Sequence, residues 1–514
     1  MWVALLLGAS LRCVQLGADC GLWFDELALA LELEQRDPGS LAGEPLGRRQ
    51  VAPLAFVLAV KGLSSAFGVS ELVLRALPFA CGLASLVLLG CVGRRLAPAW
   101  GSAWGALLFA VSPSLVLAAG SLKPYAGDVC AALCLVWVSL RTLEQRPLAG
   151  HPLAGGALGS LAILLSGPAV PTAALCGLLL GLAALRQGVA RPRPLLGLLA
   201  PWALAAAWAS FSALRLLDPE TREFMQAFWS EGFPSSPSAA PVWLAQQLYG
   251  VFAYFLIFVV PRGPLALLVL LPLGFALVGA IALLRREPLR AGIVLAPLLA
   301  AVGCALVGLL PFRGRVSLAA GASLLLCAMA GVECLLARRA RIARVAVGAC
   351  ALLSAGLPTL AVLADTPPPY RAEPAREVLA EIARHHRPGD ALYVYSGARH
   401  AIDFYGPRAG LDEWRQGETA RDERRRLLQE LDHYRGQPRL WFLYAHAPPR
   451  YGELAAVRAY LETLGTLLLD IPDPFGLEGE RAAGAFLVDL SGAEERATVD
   501  PWTVALPPTA LEER

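Results

Sequence analysis

The sequence predicts an α-helical polytopic membrane protein with a small C-terminal extracytoplasmic α/β domain. Three observations carry that expectation. Of the 514 residues, 56% are hydrophobic and only 17% are charged, where an ordinary soluble protein carries about 25% charged residues. The apolar residues are gathered into long runs that end at residue 364. Residues 365–514 are instead charged and mixed, over the length of one ordinary domain. We therefore divide the chain into a membrane domain, 1–364, and an external soluble domain, 365–514.

The first run, 2–18, has neither a basic start nor a small-residue cleavage site, so it reads as a retained helix. Further runs follow at 51–68, 72–92, 99–119, 126–142, 153–168, 169–186, 195–216, 243–260, 264–284, 290–311, 315–337 and 342–364. A crossing helix needs about 20 apolar residues, so the shorter runs are marginal. Basic clusters stand at Arg94/Arg95, Arg141/Arg146, Arg186/Arg191/Arg193, Arg285/Arg286/Arg290 and Arg338/Arg339/Arg341/Arg344. All five fall on the cytoplasmic side if runs 51–68 and 243–260 lie along the interface or only dip into the membrane. Lys61 interrupts the first of these, and Gln246, Gln247, Tyr249 and Tyr254 mark the second. That scheme has 11 membrane helices; the alternative is 13. Both counts are odd, so with the N-terminus inside both put the tail outside a plasma or inner membrane.

The outer side then carries loop 19–50, the stretch from Lys123 to Asp128 and the tail. In the 11-helix scheme it also carries loop 217–242 and the turn Pro311 to Arg315. In the tail, Ala375 to His385 has helical periodicity. A Pro388-Gly389-Asp390 turn leads to a strand from Ala391 to Tyr395. Leu440 to Tyr444 reads as a second strand, Leu454 to Leu464 as a helix, and Leu467 to Ile471 and Ala485 to Leu490 as further strands. This alternation gives the α/β expectation.

A net charge of +3 gives no sign of a nucleic-acid partner. Eleven cysteines end at Cys350, so the tail has no disulfide framework. Cys130 and Cys134 are one helical turn apart without a His cluster, and no metal site is read there. His385, His386 and His400 lack ligand spacing and read as surface residues, and Arg424-Arg425-Arg426 as a solvated helix face. There is no nucleotide-binding loop and no serine elbow.

Charge at the outer boundary is where chemistry can be sought. Asp25 and Glu26 directly follow the first helix, beside Trp23 and Phe24. A carboxylate there is either wet or a general base that takes a proton from an attacking acceptor. Lys123 precedes Pro124, Tyr125 and Asp128 at the start of another run. It either meets a phosphate or snorkels to the headgroups, and Asp128 near a helix start is favoured by the dipole. Arg313 and Arg315 stand on the side where positive charge is least expected. Guanidinium binds phosphate bidentately, from a lipid donor or from headgroups alone. Arg49, beside Arg48, raises the same question. Trp23 and Tyr125 are the aromatic candidates for a substrate pocket.

Together these segments resemble the GT-C superfamily of membrane glycosyltransferases, in particular the family-39-like group of protein O-mannosyltransferases and aminoarabinose transferases. The resemblance rests on Leu22-Trp23-Phe24-Asp25-Glu26, Gln50-Val51-Ala52-Pro53-Leu54, the stretch Phe67 to Pro78, Lys123-Pro124-Tyr125 with Asp128, the Arg313/Arg315 turn, and the tail segments from Tyr370 to Glu373 and at Pro388-Gly389-Asp390. It implies inverting transfer of a sugar from a polyprenyl-phosphate donor to an extracytoplasmic acceptor. Asp25 would be the base, with Glu26 beside it and Asp128 as the second acid. Lys123 and Arg313 or Arg315, with Arg49, would bind the donor phosphate. Aminoarabinose transferases carry a Lys-Pro-Pro run where this chain has Val51-Ala52-Pro53, which leaves the sugar open. No cofactor is required by this chemistry. Some relatives use a divalent metal, which Asp25, Glu26 and Asp128 could bind. The alternative function is a transporter or lipid flippase without transferase activity, which predicts two related halves and charged or broken helices mid-membrane. A non-catalytic scaffold presenting the external domain is a third reading.

Overall fold

The computed structural model describes residues 1–145, 151–187, 193–258, 263–337, 341–364, 367–417, 424–448 and 452–493. Arg146, Arg191, Arg338, Arg339, Asp365 and Thr366 lie outside them. Contacts divide the chain into two compact units. One is Met1–Ala18 with Arg36–Tyr370, and the other is Asp19–Gln35 with Arg371–Arg514. The first outer segment, 19–35, thus packs as part of the tail's unit, where sequence reading attached it to the membrane domain.

In the first unit each apolar run contains a helix among the described residues. Among the described residues nine helices are long and apolar enough to cross a membrane: Glu71–Leu96, Tyr125–Glu144, Ala169–Arg186, Arg193–Leu216, Ala240–Ile257, Leu267–Arg286, Pro288–Leu306, Gly314–Leu336 and Arg344–Ala364. A tenth arises if Trp100–Val111 and Pro113–Ala119, bent by 59°, count as one. Trp2–Gly17, Leu54–Phe67 and Pro152–Leu165 are shorter apolar helices. Ala240–Ile257, expected along the interface, meets the length needed to cross.

The bend has a local cause. Pro113 cannot donate to the helical ladder, and Ser112 caps the second piece by accepting from the Leu115 amide (3.3 Å). The carbonyls left open at the break are met by Arg12, which is 1% exposed. It donates to Ala110 O (3.3 Å) and Phe109 O (3.5 Å), besides Gly8 O in its own helix (2.9 Å).

One end of this unit is marked by charge. Glu144 joins Arg95 (3.2 Å) and Arg290 (2.5 Å), tying the end of Glu71–Leu96 to the end of Tyr125–Glu144 and the start of Pro288–Leu306. Glu333, near the end of Leu318–Leu336, accepts from the Gly101 amide (3.0 Å) at the start of Trp100–Val111. Helix Tyr125–Glu144 has 20 residues and so runs about 30 Å, the thickness of a bilayer's hydrocarbon core. Lys123 and Glu144 therefore lie at opposite ends of a membrane-length rod.

Where two helices touch most closely, the sequence supplies glycine. A Cβ on Gly279 would fall 1.9 Å from Cys327 O, and one on Gly331 would fall 1.9 Å from Phe275 O. Helices Leu267–Arg286 and Leu318–Leu336 meet backbone to backbone, as small residues permit in apolar surroundings.

The second unit is a five-stranded mixed sheet: β1 (Ala391–Val394), β2 (Arg415–Gln416), β3 (Leu440–Ala445), β4 (Thr466–Ile471) and β5 (Ala483–Asp489), in the order β2-β1-β3-β5-β4. β1 pairs parallel with β2 and β3, and β5 antiparallel with β3 and β4. β3 reads Leu-Trp-Phe-Leu-Tyr-Ala and is buried along almost its whole length, as a central strand covered on both faces should be. Helix Ala375–His385 falls on the expected residues. Helix Arg399–Ala409 has no counterpart in the sequence reading, because Gly406 and Pro407 mask its periodicity.

Candidate functional site

The predicted residues fall into two groups, one in each compact unit. In the tail's unit, helix Phe24–Gln35 begins just after Trp23. The Trp23 carbonyl accepts from the amides of Glu26 (2.8 Å) and Leu27 (2.9 Å), which makes Trp23 the capping residue. Glu26 bends back so that its Oε2 accepts the Trp23 amide (3.3 Å), half of a capping box. It is 1% exposed. Asp25 is half-buried in the first helical turn, where the positive end of the helix dipole favours its charge.

Trp23 has no side-chain acceptor, so the cap comes from elsewhere. Glu373 Oε2 accepts the Phe24 amide (2.7 Å), and Glu373 Oε1 meets His446 Nδ1 (2.5 Å). The Phe24 ring stacks on His446 (centroids 4.6 Å, 8° between planes) and touches His400 (4.7 Å). The Arg399 guanidinium lies 5.7 Å from the same ring. Tyr405 Oη accepts the Leu22 amide (2.8 Å). Glu373 is 3% exposed, and burial pushes its carboxyl upward. The hydrogen bond and charge of His446 and the Phe24 amide oppose that rise, while the nearby Asp25 adds to it. His400 is 3% exposed, so its reading as a surface residue is corrected. It fills the flank of Phe24.

In the first unit, Pro124 stands immediately before helix Tyr125–Glu144. Lys123 is 7% exposed, so it does not snorkel. Its Nζ donates to Gln50 Oε1 (2.5 Å), and Gln50 Nε2 donates to Arg48 O (3.3 Å). Arg48 and Arg49 both take φ of 54°, a left-handed conformation that non-glycine residues seldom adopt. Asp128, 5% exposed, accepts from Ser166 Oγ (2.7 Å). The Arg315 guanidinium lies 5.7 Å from the ring centres of both Tyr125 and Trp229, within cation–π range. Lys123, Tyr125, Asp128 and Arg315 are thus gathered at one end of helix Tyr125–Glu144.

Two other predicted cations are held by acids of the segment that includes helix Pro219–Phe228. Arg49 pairs with Glu220 (3.4 Å) and lies over Phe224 (4.5 Å). Arg313 is ion-paired with Glu231. Among the described residues no group of three or more His, Cys, Asp or Glu is placed to hold a metal.

Sequence reasoning did not single out Ser166, Trp229, Glu220 or His446. None stands in a local pattern that marks it, and each acquires its role from a partner far along the chain. Gln50 and Glu373 appeared only within longer matched segments.

No family model and no curated protein matches this chain. Among solved structures it is similar to ArnT from Cupriavidus metallidurans bound to undecaprenyl phosphate, at 14% identity over 95% of this chain and 96% of that one, with a TM-score of 0.49. It is similar to the archaeal oligosaccharyltransferase AglB from Archaeoglobus fulgidus in complex with an inhibitory peptide and a dolichol-phosphate, at 13% identity over 93% and 73%, TM-score 0.48. It is also similar to the arabinofuranosyltransferase AftD from Mycobacteria, at 18% identity over 95% and 40%, TM-score 0.46.

Proposed function

We propose that this chain is a GT-C-type glycosyltransferase that moves a monosaccharide from a polyprenyl-phosphate donor to an acceptor on the extracytoplasmic side. The observation that carries the reading is that buried Lys123 and Asp128 stand at one end of a membrane-length helix, where Arg315 lies over Tyr125. Buried ionisable side chains in an apolar bundle are costly and mark function by default. The motif Leu22 to Glu26 supplies the acid that the chemistry needs.

In the proposed step the acceptor hydroxyl or amine attacks the anomeric carbon and gives its proton to the Asp25 carboxylate. The bond from that carbon to the phosphate oxygen breaks, its electron pair stays on that oxygen, and polyprenyl phosphate leaves. Lys123 and Arg315 stabilise the charge that grows there. Glu26 holds the turn that carries Asp25, Trp23 and Tyr125 border the substrate, and Asp128 orients the acceptor side. Arg49 and Arg313 serve the phosphate when they exchange their carboxylate partners for it. The step needs no cofactor.

The test is turnover of the purified full chain with a panel of polyprenyl-phosphate monosaccharides, with and without chelator, beside binding of undecaprenyl phosphate. Turnover that survives the chelator is expected. Lys123→Ala should weaken undecaprenyl phosphate binding about tenfold or more, as loss of a charge-assisted bond of 1.5–3 kcal/mol implies. Unaltered binding would remove Lys123 from the phosphate site, and no turnover with any donor would remove the transferase reading.

A further inference from the structure

We propose that Glu373 and His446, from the tail, are positioning residues for Asp25. They fix the first turn of helix Phe24–Gln35 so that its acid is held in one place. This inference rests on the transferase reading for its purpose, but not for its geometry.

A helix start has unpartnered amides, and this one begins at a tryptophan that cannot cap them through its side chain. One of these amides, that of Phe24, finds its acceptor 349 residues away, in Glu373 Oε2. The other carboxylate oxygen meets His446, whose ring lies parallel on the ring of Phe24. Glu373 thus holds the Phe24 backbone, His446 holds its side chain, and the two hold each other. Tyr405 fixes the preceding strand of chain through the Leu22 amide. Phe24 is pinned at both ends, and Asp25 is the next residue.

Backbone geometry argues for the same assignment. Glu373 (φ 49°) and His446 (φ 50°) are both in the left-handed region, which L side chains occupy at a cost and which gathers at functional sites. Two such residues meeting over one phenylalanine is not what packing alone requires. The titratable and charged groups around this turn include Asp25 and Glu26 on the helix itself, Glu373 and His446 from the tail loops, and Arg399 and His400 from helix Arg399–Ala409. A general base must lie within hydrogen-bond reach of its proton, and a displacement of about 1 Å can cost about 100-fold in rate.

The experiment compares Glu373→Ala, Glu373→Gln and His446→Phe in the full chain in detergent. The first readout is amide hydrogen exchange over residues 22–27, which needs no substrate. Glu373→Ala should exchange there about tenfold faster, while Glu373→Gln, whose amide oxygen still accepts from Phe24, should stay near the parent. The second readout is turnover. Glu373→Ala should lower kcat by about tenfold or more at an unchanged donor KM, with Glu373→Gln restoring most of it. His446→Phe keeps the stacked ring but loses the bond to Glu373, and should raise exchange and lower kcat together. It serves if Glu373→Ala does not fold. Unchanged exchange in these variants would overturn the inference, and so would faster exchange with an unchanged kcat. If the parent turns over no donor, the transferase reading falls, and exchange alone decides whether Glu373 orders the turn.

Discussion

Asp25 and Lys123 illustrate what a charge costs in this chain and how the cost is met. Asp25 is second in its helix, where the dipole offsets part of its desolvation. Asp25→Asn keeps the size and the helix start but cannot take a proton. Transfer should fall about 100- to 10,000-fold, the usual weight of a general base, with thermal unfolding unchanged. Wild-type turnover in that variant would end the base assignment. Glu373 offers a separate check through pH. Its carboxyl is raised above the ordinary 4.5, burial being the main cause. A raised carboxyl favours the folded state while protonated, so that stability is full below 4.5 and is lost as pH rises through the folded value. Glu373→Gln has no such proton to lose. Its stability should fall less steeply with pH just above 4.5 than the parent's, measured by denaturant unfolding at a series of pH values. Parallel pH curves would show that Glu373 is not the group titrating.

At the scale of elements, glycine and proline decide how helices meet and where they break. Pro113 ends one helix and begins another, and Arg12 reaches across to the open carbonyls. Gly279 and Gly331 let two helix backbones approach until no Cβ fits between them. Gly331→Leu places a side chain against the Phe275 carbonyl and must force the pair apart. Overpacking of this kind costs about 1–3 kcal/mol, which a thermal unfolding scan in detergent should read as a lower midpoint. An unchanged midpoint would mean that this helix pair separates without penalty. The start of Phe24–Gln35 belongs to the same scale: a helix start capped locally by Glu26 is completed by Glu373 from another segment.

At the scale of the whole membrane unit, two charged groups mark opposite ends of helix Tyr125–Glu144. Arg95, Glu144, Glu287 and Arg290 form one network, while Lys123 and Arg315 lie at the opposite end of helix Tyr125–Glu144. The basic end is expected in the cytoplasm by the positive-inside rule, which puts Lys123 on the outer side. A phosphatase fused after residue 493 should therefore be active, and a cytoplasmic fluorescent reporter at the same point should be dark. The reverse pattern would invert the topology and with it the source of the donor.

The sequence by itself determined the fold class and the list of apolar helices, because hydrophobic runs and 3.6-residue periodicity are local properties that burial in lipid makes obligatory. It also marked Asp25, Asp128, Lys123 and Arg315, because charge beside apolar runs is rare enough to stand out. Which helices are long, which pair is bent, and that residues 19–35 pack with the tail were decided only by tertiary structure. So were the placing of Lys123 on Gln50, of Arg315 between Tyr125 and Trp229, and of Glu373 and His446 on Phe24. The reason is physical. Buried polar groups must find partners, and those partners are chosen by proximity in space, which spacing along the chain does not encode.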